Sequence, residues 1–368
     1  MSLTTPPADL PETLGALRER IDAVDERLLE LLSERARLAS RVAAVKLKEG
    51  NGGSFYRPER EAQVLRGILA RNPGPLPDEE IGRLFREIMS ACLALEQPLT
   101  VAYLGPVGTW TEAAASKHFG HSVAMRSAAS IAEVFREVEA GGCAFGVVPV
   151  ENSIEGVVTH TLDNFADSPL VICGEVELRI HHCLLGRVAA LGDARRLYGH
   201  PQALAQCRRW VDVHLAGIER LPMPSNAEGA RRAALEEGAV AIASEAAAAH
   251  YDLRVLAARI EDEPDNTTRF LVIGRQVSAP SGDDKTSLIF ATPNRPGALR
   301  DILDCLAGAG ISLSRIESRP SRRAMWEYLF YVDLDGHAND PHVAAALAEI
   351  ELRATLVKRL GSYPRAVL

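Results

Sequence analysis

From Leu14 to about Glu96 the apolar positions follow a helical period. Leu14, Leu17, Ile21, Val24, Leu28, Leu31, Leu32, Leu38, Val42 and Val45 recur at steps of three and four residues, which predicts one long amphipathic helix. Gly50-Asn51-Gly52-Gly53 stops it. A second helix starts after Pro58 and closes at Asn72-Pro73-Gly74-Pro75, and Asp78 is placed to cap a third that ends before Pro98. From Leu99 the pattern turns to short apolar runs at 99–104, 145–150, 170–177, 240–243 and 270–273, with helical stretches between them. That alternation predicts an α/β unit with mostly parallel sheets. Residues 278–284 read as a linker. The remainder reads β-α-β-β-α-β, with strands at 287–291, 312–318, 328–334 and near 357–360, and helices at 297–309 and 341–352. This is a ferredoxin-like α+β unit. The expected fold is therefore multidomain: all-α over 10–97, α/β over 99–277, and α+β over 285–362.

Composition narrows the setting. The 368 residues are 47% hydrophobic and 24% charged, as in globular proteins, and too many for one ordinary core. A net charge of -8 opposes nucleic acid as a general partner. The cysteines at 92, 143, 173, 183, 207 and 305 form no CxxC pair and read as thiols of a reducing compartment. The first residues lack a basic start and apolar run, and no apolar stretch reaches the roughly 20 residues of a membrane span. A cytoplasmic protein without a membrane partner is expected. The first helix would be about 50 Å long. Three helices with one so long do not enclose a core, so a homodimer is expected too.

The candidate chemistry of the first zone is cationic. Arg35 and Lys46 lie eleven residues apart, about three turns, and share a helix face. Arg18 lies roughly 100° away from Arg35 around the axis, so it suits the pocket of an antiparallel partner better than its own. Arg60 and Glu61 lie on the second helix, and Cys92 and Glu96 stand at an i,i+4 spacing on the third. Cations on a long helix are also ordinary solvated surface. The segments LRERIDAVDERLLELLSERARLASRVAAVKL and YRPERE resemble the all-helical chorismate mutase family over about 85 residues. The resemblance implies a pocket shared between protomers, with Arg18 donated in trans, Arg18 and Arg35 on carboxylates, Lys46 at the ether oxygen and Glu61 on the ring hydroxyl. It also implies substrate contacts from Arg57, Arg60, Cys92 and Glu96. Relatives carry Asp, Ser and Gln where this chain has Arg57, Cys92 and Glu96. An ionised Glu96 would oppose charge growing on the ether oxygen, whereas a protonated one donates the bond that Gln supplies.

In the second zone several turns look built for anions. Thr109-Trp-Thr-Glu112 and Ser225-Asn-Ala-Glu228 are capping-box patterns, and Asn152 or Ser153 is placed to cap a helix after a strand. His200-Pro201-Gln202 puts proline where a first helical turn accepts it. Four helix starts gathered at strand ends would offer free N–H groups to a small anion. Ordinary capping explains each one alone. Together with Asp265-Asn-Thr-Thr-Arg-Phe270, the segments YLGPVGT, GVVPVENSIEG and HPQALAQC resemble prephenate dehydratase over roughly 99–277. The resemblance implies two α/β subdomains with a cleft between them and Thr268 as the essential hydroxyl. It implies Arg269 either on a carboxylate or bracing the loop, and Thr109, Asn152, Ser153, His200 and Gln202 in the cleft. Val107, Trp110 and Gly199 depart from the usual Glu, Phe and Ser, so no carboxylate general acid is assigned at Val107. His181 and His182, as strand neighbours, point to opposite faces and do not chelate together; no metal and no cofactor are expected.

In the third zone, Asn294-Arg-Pro-Gly-Ala-Leu299 opens a helix and Glu317-Ser-Arg-Pro320 ends a strand. Turn chemistry accounts for both, yet the pair resembles the amino-acid-binding ACT domain over roughly 75 residues. That resemblance implies a phenylalanine site lined by Gly297, Ala298, Leu299, Glu317, Ser318, Arg319 and Pro320 between paired domains. The three resemblances together imply conversion of chorismate to prephenate and then to phenylpyruvate, with feedback inhibition by phenylalanine. A chain with dehydratase activity alone, keeping its helices only to dimerise, is the alternative.

Overall fold

The computed structural model describes residues 13–48, 56–321 and 328–368. Three helices come first: α1 (Leu14–Lys48), α2 (Pro58–Leu69) and α3 (Asp78–Glu96). The glycine-rich stop at 50–53 lies outside the described residues. Helix α1 keeps its predicted stripe, but only Ala43 along it is buried; Val24, Leu28, Leu31 and Val45 are each about half exposed. Pro77, not Asp78, is the N-cap of α3; Asp78 is its first helical residue and accepts a hydrogen bond from Asn72.

The chain then runs through β1 (Thr100–Leu104), α4 (Trp110–Phe119), β2 (Ala124–Ala128), α5 (Ile131–Glu139) and β3 (Phe145–Asn152). After the short β4 (Gly156–Val157) come α6 (Thr159–Asp167) and β5 (Val171–Arg179). It crosses into a second subdomain made of β6 (Cys183–Gly186), β7 (Arg196–Gly199), α7 (Pro201–Gln206), α8 (Arg208–His214) and β8 (Glu219–Pro222). That subdomain is completed by α9 (Asn226–Leu235), β9 (Ala239–Ala243), α10 (Glu245–His250) and β10 (Arg254–Ala257). Strand β11 (Thr267–Gly274) returns to the first sheet and inserts between β3 and β5.

This return changes the sheet type expected. The first sheet has the order β2-β1-β3-β11-β5, parallel across β2-β1-β3 but antiparallel on both sides of β11. The second, β10-β6-β9-β7-β8, is likewise parallel across β9-β7-β8 and antiparallel elsewhere. Both sheets are mixed rather than mostly parallel. A strand that comes back from another subdomain needs no crossover helix, so nothing forces it to run parallel.

The last unit is β12 (Asp284–Ala291), α11 (Ala298–Gly308), β13 (Leu313–Pro320), β14 (Tyr328–Asp335), α12 (Pro341–Arg353) and β15 (Leu356–Pro364). It forms an antiparallel sheet of order β13-β14-β12-β15. One face packs on α11 and α12 through Leu288, Phe290, Ile302, Val332 and Leu347. The other shares a core with the first sheet: Ile289, Leu329, Tyr331 and Tyr363 join Val148, Phe165, Ile172 and Leu271. Residues 278–284 are not a loose linker. Ser278, Ser281 and Asp284 are buried, and Arg66 of α2 donates to the carbonyls of Ser281 and Asp283.

Contact between the two sheets is closest at Gly361, where φ is +142° and a Cβ would stand 2.2 Å from the carbonyl oxygen of Ile172. Gly361→Ala should therefore force β15 off β5 and destabilise the chain by about 1–3 kcal/mol. A calorimetric melting temperature equal to the parent's would contradict that packing.

Candidate active sites

A cleft of about 1290 Å³ opens between the two subdomains. Of the dehydratase-like candidates, Thr109, Asn152, His200, Gln202 and Thr268 line it. Thr268 stands opposite Asn152 in the β11–β3 ladder. The Asn152 Oδ1 accepts from the backbone N–H of Ile154 and of Glu155, both at 3.0 Å, which turns its Nδ2 toward Thr268 Oγ1 at 2.8 Å. With Oγ1 accepting there, the Thr268 proton is free to face the cleft.

Two residues that the sequence reading passed over complete this row. Asn266, 1% exposed, accepts from Asn152 Nδ2 at 2.7 Å and donates to Gln206 Oε1 at 3.2 Å. Gln206 in turn meets His182 Nε2 at 2.9 Å. A continuous amide chain thus crosses from one subdomain to the other beneath the cleft. The available signal was adjacency, since Asn266 precedes Thr267-Thr268 in a segment already singled out.

Helix starts do surround the cleft, with corrections. Thr109 caps α4, His200 caps α7 and Ser225 caps α9. The capping boxes are only half formed: Glu112 accepts from Gly108 N–H, and Glu228 pairs with Arg231. Asn152 and Ser153 cap no helix, because α6 begins later with Val158 as N-cap. The fourth helix start is α5, capped by Ser130, whose preceding residues 127–129 line the cleft. Ser153 is exposed and spends its hydroxyl on the Asp265 carbonyl and Thr267 N–H. Burial lowers the His200 pKa against the opposing pull of Glu155, which favours neutral imidazole.

Arg269 is not in the cleft. It alternates with Thr268 on β11 and points to the opposite face, where Glu175, Asp333 and the Tyr363 hydroxyl take its three nitrogens at 2.8, 2.5 and 2.9 Å. Among the described residues lining the cleft there is no lysine or arginine, while Glu133, Glu155 and Glu228 are there. An anion bound there meets hydroxyl and amide donors and positive helix ends rather than cationic side chains.

Among the helices, Arg35, Lys46 and Glu96 come together. Arg35 and Lys46 are half-buried, and Arg35 donates to the Ile88 carbonyl at 3.4 Å. Burial raises the Glu96 pKa, against the opposing pull of Lys46 and Arg35. Cys92 is buried one turn back on α3. The rest of the expected set is elsewhere. Arg18 is exposed about 25 Å up α1 from Arg35. Arg57 pairs with Glu59 at the start of α2, and Arg60 is exposed. Glu61 faces Arg86 at 3.8 Å, in a small cavity with Tyr56, His118 and residues 364–368. Burial pushes its pKa up to about 7, despite Arg86.

In the last unit Gly297, at φ +80°, is the N-cap of α11, and Ala298 and Leu299 open the helix, Ala298 buried. Along β13, Glu317 and Arg319 face inward and Ser318 and Pro320 outward; Arg319 binds Asp163 of α6 at 3.0 Å. His181 and His182 bind different partners, Glu261 and Gln206, and no group of three or more metal-ligating side chains occurs among the described residues. No helix among them is long and apolar enough to cross a membrane.

An all-helical unit, a two-subdomain cleft unit and a ferredoxin-like unit in this order match three families: chorismate mutase type II over residues 17–97, prephenate dehydratase over 101–278 and ACT domain over 286–352. A bifunctional chorismate mutase/prephenate dehydratase from Pseudomonas aeruginosa is 56% identical over 361 residues, covering 97% of this chain and 99% of the relative. The chain belongs to the bifunctional chorismate mutase/prephenate dehydratase family. A prephenate dehydratase from Arthrobacter aurescens in complex with L-Phe superimposes with a TM-score of 0.68 at 40% identity, covering 73% of this chain and 90% of that one. A structure described as GqqA, a quorum quenching acylase, also reaches 0.68, at 30% identity over 73% of this chain and 98% of its own. Fold alone therefore leaves the chemistry to the residues.

The raised Glu96 pKa carries a sign. On the expectation that Glu96 lies at the ether oxygen, the protonated acid would donate toward that oxygen, and as pH rises through its pKa the anion would oppose the charge growing there. Mutase turnover should fall along that limb, and Glu96→Gln should flatten it. A Gln variant whose pH–rate curve overlays the parent's would remove Glu96 from the chemistry.

Proposed function

We propose that this chain converts chorismate to prephenate and prephenate to phenylpyruvate, and that phenylalanine inhibits the second step. The observation that carries the reading is the Asn152–Thr268 pair, set in a cleft ringed by helix starts, in a chain aligned almost end to end with a bifunctional relative. Dehydration expels hydroxide and carbon dioxide together as the ring becomes aromatic. Aromatisation drives it, so the protein chiefly orients the dianion and assists the leaving hydroxyl. Thr268, accepting from Asn152, directs its proton to that hydroxyl. The carboxylates settle on backbone N–H groups at the starts of α4, α5, α7 and α9. Arg269 stays out of substrate contact.

The mutase step is a pericyclic rearrangement that needs a compact conformer and charge stabilisation. Arg35, Lys46 and protonated Glu96 supply part of the pocket. Completion by the partner subunit's Arg18 in a homodimer is supported by two features. The apolar stripe of α1 is exposed along its length, and Arg18 is remote from Arg35 within one chain. Six free cysteines, five of them buried, suit a reducing cytoplasm.

Thr268→Ala should cut prephenate dehydration by on the order of 10²–10⁴-fold while chorismate turnover stays at the parent level. Equal loss of both activities would mean misfolding, and retained dehydration would show the hydroxyl to be dispensable. Phenylalanine should lower the dehydration rate in a dose series and give a calorimetric binding signal. Absence of both would overturn the sensor role, because an effector acts only through a difference in affinity between two states.

A further inference from the structure

The row of residues directly behind the Asn152–Thr268 pair is gripped by the ferredoxin-like unit. In the β11–β3 ladder, Thr268 stands opposite Asn152 and Arg269 opposite Glu151. Side chains alternate along a strand, so the first pair faces the cleft and the second faces the sheet β13-β14-β12-β15. Asp333 of β14 takes Arg269 Nη1 at 2.5 Å, and Arg315 of β13 approaches Glu151 at 3.4 Å. Asp333 and Arg315 are themselves 3.9 Å apart. Arg269 is closed on its other sides by Glu175, which also binds buried Lys285 at 3.0 Å, and by Tyr363.

Two features make this grip more than packing. The β11–β3 register shifts between Arg269 and Phe270, so the ladder is irregular one residue from Thr268, next to the residue the sensor unit grips. Further, the Arg315 side chain is only 10% exposed, yet among the described residues its Nε and Nη2 make no hydrogen bond, Nε meeting Glu151 as an ion pair at 3.4 Å. β13 is thus tied to β3 through charge, and removing the guanidinium takes that partner from both Glu151 and Asp333.

We propose that Asp333 and Arg315 are positioning residues for dehydration: the sensor unit sets the place of Thr268 and Asn152 from behind, through Arg269 and Glu151. This rests on the dehydratase reading above. Arg315 also lies two residues before Glu317 on β13, so a shift of this strand reaches Glu151, the neighbour of Asn152, through one ion pair.

The test measures prephenate dehydration and chorismate turnover on the full chain with Asp333→Asn, Arg315→Met and Arg315→Lys. Misplacing a reacting group by about 1 Å costs on the order of 10²-fold. Asp333→Asn and Arg315→Met should lose dehydration kcat on that scale with KM nearly unchanged and mutase turnover at the parent level. Arg315→Lys should recover most of the loss. If Asp333→Asn fails to fold, shown by lost mutase turnover and an early melt, the two Arg315 variants decide alone. Folded Asp333→Asn or Arg315→Met protein with parental kcat overturns the inference, as does loss appearing in KM alone or loss not rescued by lysine. A parent chain that does not consume prephenate instead removes the dehydratase reading itself.

Discussion

Strand β11 is the constraint on which the rest depends. It leaves the second subdomain, enters the first sheet antiparallel between β3 and β5, and carries opposite chemistries on its two faces. Thr268 and Phe270 face the cleft; Arg269 faces a buried cluster with Glu175, Asp333, Lys285 and Tyr363. Burying such charges is tolerable because they compensate one another and because serine and tyrosine hydroxyls fill remaining sites, as Ser287 does on Asp333 and on Tyr363. Removing one member of a buried pair typically costs roughly 3–5 kcal/mol. Burial would raise the Asp333 pKa, but Arg269 and Arg315 outweigh it and hold the carboxyl below its usual range. Asp333 is therefore ionised at neutral pH, and the cluster links the cleft strand to the ferredoxin-like unit.

On the proposed reading, the cleft takes an anion without any lysine or arginine among the described residues that line it. Helix starts and amides are fixed by the backbone, so they need little reorganisation when a ligand binds. An arginine there would bring greater attraction but also side-chain entropy to lose. The acidic neighbours Glu133, Glu155 and Glu228 make the balance tighter, and two of the four helix starts, α5 and α9, carry one of them in the first turn. The same reading assigns specificity to shape and to the amide row of Asn152, Asn266 and Gln206, rather than to net charge.

The helical unit behaves differently. One chain gathers Arg35, Lys46 and Glu96 but sends Glu61 to the junction with residues 364–368, because the apolar face of α2, with Ala62 and Leu65, packs toward α3 and the end of β15. An exposed stripe along α1 remains. Neither feature makes sense for an isolated pocket, and both suit an assembly in which a second chain supplies the missing wall.

The repeat of apolar residues determined the three long helices and the β-α-β-β-α-β tail, since period and turn chemistry are local properties. Turn and capping residues drew attention to Asn152 and His200, and the resemblance to prephenate dehydratase marked Thr268. Tertiary structure alone decided that the sheets are mixed, because strand direction depends on which subdomain β11 returns from. It also decided that Arg269 turns away from its neighbour Thr268, whose common motif hides the alternation of a strand. The Ser130 cap of α5 is a local pattern, Ser130-Ile-Ala-Glu133, that the sequence reading passed over. The amide row through Asn266 and Gln206, and the contacts of Asp333 and Arg315 with Arg269 and Glu151, instead arise between segments tens to hundreds of residues apart. No local pattern records such contacts; they exist only once the sheets have packed.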